Sequence, residues 1–166
     1  MNLLALDLAT RTGWALRENG RLESGVETFD VKRGESAGMR YVKFNRWLEG
    51  LIAPESCSFL ARVGLVVYEQ PFVMRSGPAA EIALGFATRV QEFCARYGLE
   101  HTTVNGMTLK KWTTGKGNAD KPAMLEAVAR RWRRVDDHNE ADAVALLHYA
   151  LEEIVPSQPQ EGGEPR

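Results

Sequence analysis

Short apolar runs separated by turn-forming clusters open the chain. Residues 3–8 form one run and residues 13–17 another, joined by a Thr/Arg-rich turn, which predicts two adjacent antiparallel strands. A third strand is expected near residues 25–29. Over residues 35–53 the period lengthens, and Met39, Val42, Phe44, Trp47, Leu48 and Leu51 make the single apolar stripe of a helix, with Pro54 just beyond it. The run VGLVVY over residues 63–68 is β-branched and nearly all apolar, as a strand covered on both faces should be. A long helix is predicted over residues 79–97, stopped by Gly98, and a short strand over residues 100–104. A basic segment, residues 109–121, precedes two further helices at 121–133 and 139–154. The last stretch, residues 156–166, is rich in Pro, Gly, Gln and Glu and is expected to be a disordered tail. This order predicts an α/β domain over residues 1–154, with a mixed sheet covered by helices.

Composition narrows the function without choosing it. At 166 residues the chain needs only one core. Its apolar runs are too short to cross a bilayer, and the start MNLLALDLAT has no basic region and carries an acid inside the run, so a cytoplasmic protein is expected. Cys57 and Cys94 lie far apart with no CxxC spacing, which favours buried free thiols over a disulfide framework or a zinc site. The net charge of -1 supplies no general attraction to nucleic acid, so any such site must be a local patch.

Three acids sit inside or at the ends of otherwise apolar elements. Asp7 interrupts LLALDLA, where a buried carboxylate is costly unless paired or bound to a metal. Glu69 ends the VGLVVY strand, and ligand sites in open α/β sheets gather beyond strand carboxyl ends. Asp142 stands among alanines in NEADAVALLHYAL, a setting that lets its helix approach the sheet closely. Singly, each reads as well as a capping, strand-end or solvated acid. Together, on these elements, they favour a shared site for cations, and oxygen donors without cysteine suit Mg²⁺ or Mn²⁺ rather than zinc. A pair of such ions is a known arrangement for phosphodiester hydrolysis.

Four segments, LALDLATRTGWAL, VVYEQP, KKWTTGKGNADK and DDHNEADAVALLHYA, occur in the order found in RuvC-type Holliday-junction resolvases, and the chain resembles that family, especially its short phage and prophage forms. The resemblance implies a ribonuclease H-like fold, with three antiparallel strands followed by parallel ones. It also implies a homodimeric, metal-dependent endonuclease of DNA recombination and repair that cuts four-way junctions to leave 5′-phosphate and 3′-hydroxyl ends. The family's acids fall on Asp7, Glu69 and Asp142. Its further metal ligand falls on Asn139, whose amide oxygen brings no charge, so that Asp137, His138 or Glu140 are alternative donors. Its two functional lysines fall on Lys110 and Lys121, the latter catalytic, with Lys111 and Lys116 as further DNA contacts. The loop after Glu69 enters the junction in this family, which makes Phe72, Met74 and Arg75 candidates for opening it.

Other features remain open at this stage. Arg130, Arg131, Arg133 and Arg134 around Trp132 read as a solvated helix end or a secondary phosphate contact. Trp14 reads as core or as a base-stacking residue. Ile82, Leu84, Phe86, Val90 and Phe93 form a candidate dimer surface, with core packing as the alternative. Two rival functions stand beside the resolvase: a flap or three-way-junction debranching nuclease, and a branched-DNA-binding protein without catalysis, the second motivated by Asn139. An actin-like ATPase is excluded because it needs two larger halves.

Overall fold

The computed structural model describes residues 1–52, 63–71 and 77–155. Within them lie five strands, β1 Leu3–Asp7, β2 Arg11–Glu18, β3 Arg21–Thr28, β4 Leu65–Glu69 and β5 Glu100–Val104. Five α-helices accompany them: α1 Met39–Ile52, α2 Pro78–Tyr97, α3 Gly106–Thr114, α4 Lys121–Arg131 and α5 His138–Tyr149. The strand order is β3-β2-β1-β4-β5. The first three are antiparallel, and β4 and β5 then add in parallel with β1. This is the predicted mixed α/β sheet.

Two cores lie on the two faces of the sheet, and the strand alternation assigns residues to them. Leu4 and Leu6 of β1 with Val66 and Tyr68 of β4 pack against α1 and α2, alongside Phe44, Leu48, Phe86 and Val90. Leu3, Ala5, Leu65 and Val67 pack against the other helices, chiefly the alanine-rich α5. Ala5 and Ala15 are opposed in the sheet, and Ala141 and Ala145 come down on that face fully buried. Small residues on both sides let the helix approach the strands closely.

Several boundaries differ from the sequence expectations, each for a local reason. The third strand starts earlier, at Arg21, because Asn19 and Gly20 adopt positive φ angles of 51° and 82°, the geometry of a tight hairpin turn. Helix α1 begins at Met39 rather than residue 35, since Lys43 reaches back to the Asp30 carbonyl and to Glu35 and holds the approach as a turn. The basic segment contains α3, capped by the Asn105 side chain, which accepts from the Met107 and Thr108 N–H groups. Helix α5 continues as a π-helical turn, Ala150–Ile154. Cys94 is a buried free thiol whose pKa burial pushes up to about 11. Cys57, Pro54 and the 156–166 tail lie outside the described residues.

Candidate functional site

Strand register places two of the three acids side by side. Strands β1 and β4 run parallel with Leu6 opposite Tyr68, so Asp7 and Glu69 are the next residues at their carboxyl ends. Both follow Leu3, Ala5, Leu65 and Val67 in the alternation and therefore turn to the α5 side of the sheet. They share a cavity of about 140 Å³ with Leu8, Gln70, Pro71 and Ala83.

Asp142 reaches the same end because α5 starts directly over β2. Gly13, the partner of Asp7 in the sheet, has no room for a side chain, as a methyl group there would overlap the Asn139 carbonyl. Asp137 caps the helix by accepting from the Asn139 N–H and is also paired with Arg11 of β2 at 2.7 Å. The first turn of α5 is thus pinned beside Asp7. One turn on, Asp142 presents a buried Oδ1 with no hydrogen-bond partner among the described residues.

The electrostatics couples the three carboxyl groups. Burial raises Asp7 well above its usual carboxylate range, and the charges of Asp142, Glu69 and Asp137 push it the same way. Glu69 is raised by burial, against the pull of Lys110. Asp142 is raised to about 7 by burial and by the charge of Glu69, opposed by Lys110 and Lys121. Among the described residues no group of three or more His, Cys, Asp or Glu is placed closely enough to hold a metal ion as it stands. The charges of the three acids nevertheless couple: Asp142 and Glu69 both raise Asp7, and Glu69 raises Asp142. Oxygen donors held in this way, one of them buried without a partner, suit a hard divalent cation.

The lysines separate into two groups. Lys110 on α3 acts on all three acids, and Lys121 at the start of α4 acts on Asp142. The Nζ of Lys121 lies 2.9 Å from His138 Nε2. Lys111 and Lys116 are exposed and are not among the main charges on the acids; Lys116 instead lines a groove with Asn118, Asp120 and Arg130. Phe72, Met74 and Arg75 lie outside the described residues.

Other candidates are already engaged elsewhere. Glu140 accepts from Ser24 of β3 at 2.6 Å, and Asp137 is held below its usual pKa by Arg11 and backbone N–H groups despite its burial. Neither is free to replace Asn139. Arg131 lies over Trp112 and Trp132, 4.4 and 4.3 Å from their ring centroids, and donates to the Trp112 and Thr113 carbonyls, so it braces α3 against α4 while remaining exposed, as Arg130 and Arg134 are. Trp14 packs against the core and over Gly25. Phe86, Val90 and Phe93 are buried in the core and Ile82 packs against it, leaving Leu84 exposed, which corrects the reading of that stripe as a dimer surface.

Gly106 is a determinant that the sequence reading passes over. A methyl group at this position would overlap the Oε1 of Glu69, so the Glu69 carboxylate rests against the first turn of α3.

No family model matches the chain, and no curated protein matches it. Solved structures do. The Thermus thermophilus RuvC structure matches with a TM-score of 0.65 at 21% identity, covering 92% of this chain and 96% of that one. The structure of T. thermophilus RuvC in complex with Holliday junction substrate matches with a TM-score of 0.66 at 18% identity, covering 88% and 90% respectively. The likeness shows a shared ribonuclease H-like fold.

Proposed function

We propose that the chain, over residues 1–154, is a divalent-metal-dependent endonuclease that cleaves branched DNA, with the four-way junction as its principal substrate. The observation that carries this reading is the convergence of Asp7, Glu69 and Asp142 at the strand carboxyl ends, each with its pKa raised. Its support from outside the chain is a fold shared with a RuvC whose structure holds a Holliday junction substrate.

Asp7, Glu69 and Asp142 would hold the cations, with Asn139 as a neutral fourth donor. Magnesium or manganese ions bound there supply an activated water and neutralise charge on a phosphodiester. The protein's own groups do the rest. Lys110 opposes part of the rise in the carboxyl pKa values and so favours their ionised, cation-binding forms. Lys121, beside Asp142, faces the charge that builds on the transferring phosphate. Lys111 and Lys116, both exposed, are suited to contacting flanking phosphates. Phe72 and Arg75 are proposed for opening the junction on the strength of the resemblance alone. Symmetric cutting of a junction needs two active sites facing opposite strands, which a two-fold homodimer supplies.

The test is cleavage of end-labelled four-way, three-way and flap substrates in Mg²⁺ and in Mn²⁺. Preferential, paired cutting of the four-way junction supports the proposal, and equal rates on all three point to a debranching nuclease. The neutral Asn139 favours one further reading, a junction binder without catalysis. If Asn139→Asp cuts and the native chain binds equally well without cutting, that reading replaces this one.

A further inference from the structure

Lys121 occupies an unfavourable place for a cation. It is the first residue of α4, and cations at helix N-termini oppose the macrodipole. Helix stability does not account for it, and the first turn of α4 carries no acid to offset the charge. What holds the ammonium is an imidazole. Its Nζ lies 2.9 Å from the Nε2 of His138, the first residue of α5, so two helix N-termini meet at this contact. An ammonium has only N–H donors, so Nε2 is the acceptor in this contact.

The backbone of His138 is itself fixed from the other side. Asp137, immediately before it, caps α5 and pairs with Arg11 of β2. A continuous path therefore runs from the sheet through Asp137 and His138 to the Lys121 ammonium, which acts on Asp142.

We propose that His138 is a positioning residue that holds the Lys121 ammonium toward the Asp142 side of the cleft through the Nε2 contact. The inference rests on the reading of Lys121 as a phosphate-facing group, and its test separates the two. Single-turnover cleavage and junction affinity are measured for the native chain, His138→Leu, His138→Gln, Lys121→Met and the double variant His138→Leu/Lys121→Met. The ¹⁵N resonance of His138 Nε2 is recorded in the native chain and in Lys121→Met.

His138→Leu should cleave about 10- to 100-fold more slowly at nearly unchanged junction affinity, the range typical of losing a group that orients a reacting one. His138→Gln, which keeps an acceptor at the same reach, should restore most of the rate. In the Lys121→Met background, His138→Leu should cost nothing further, because the contact is already gone. Multiplicative losses in the double variant, or native rates in His138→Leu, would overturn the proposal. If the native chain cuts no substrate, the nuclease reading fails and the resonance decides this one. Movement of Nε2 in Lys121→Met upholds the contact, and an unmoved resonance refutes it.

Discussion

Glu69 and Gly106 occupy one another's space: the Oε1 of Glu69 lies where a side chain at Gly106 would begin. The first turn of α3 therefore sets the position of a carboxylate on β4. Gly106→Ala should leave the fold intact, changing stability by no more than about 1 kcal/mol, because the atom displaced is the end of a flexible side chain. Cleavage should nevertheless fall about 10- to 100-fold as the carboxylate moves. Thermal denaturation and single-turnover rates on the same preparation check the two halves separately.

Gly13 makes the opposite case. Here the overlap is with the Asn139 backbone, which has no flexible end to yield. Gly13→Ala should destabilise the fold by about 3 kcal/mol, the upper end of ordinary overpacking, by lifting α5 from β2. Denaturant unfolding measures it. A change under 1 kcal/mol would mean that the helix contact is looser than described.

The pH dependence of stability follows from Asp142. Its folded-state pKa of about 7 exceeds the ordinary 3.8, chiefly through burial. A raised pKa stabilises the fold at low pH, and that contribution is lost as pH rises from about 4 to about 7. The cation-free protein should lose stability over this window. Magnesium should recover it at pH 8 by about 2.7 kcal/mol when present at a hundredfold excess over its Kd, and by much less at pH 5. Thermal melts with and without Mg²⁺ test this, and in Asp142→Asn both the slope and the recovery should shrink.

His148 supplies a slope of the other sign. It stacks on Trp132 with centroids 4.5 Å apart and planes within 4°, and burial, with the nearby charges of Arg131 and Arg17, lowers its pKa to about 4. A depressed pKa gives stability that is present above the unfolded value of about 6.5 and lost as pH falls toward 4. His148→Phe keeps the stack without the titration. On going from pH 6.5 to pH 4 its melting temperature should rise relative to that of the native chain, and parallel pH profiles of the two would contradict the assignment.

The contrast between what the sequence disclosed and what it hid has physical causes. Period-two and helical patterns are local, so β1, β4, β5 and α2 are visible in the residues themselves, and with them the acids that end or interrupt apolar runs. The hairpin at Asn19-Gly20 and the Asn105 cap of α3 are also local signals, which a closer reading of turn and cap chemistry would have found. Gly13 inside a strand carried a warning of close backbone approach. Side-chain partnerships across elements carried none. Nothing in the sequence joins Lys121 to His138, Glu140 to Ser24 or Arg131 to Trp112, because each depends on how whole helices sit on the sheet. The stripe on α2 was ambiguous for the same reason, since core and interface look alike until the core is built.

The central claim is that Asp7, Glu69 and Asp142 act as one cation-binding centre. The most direct measurement is calorimetric titration of Mn²⁺ into the native chain and into Asp7→Asn, Glu69→Gln and Asp142→Asn at pH 8. The account predicts saturable binding in the native chain, weakened at least tenfold, about 1.4 kcal/mol, by each single substitution. Native affinity in all three variants would contradict it.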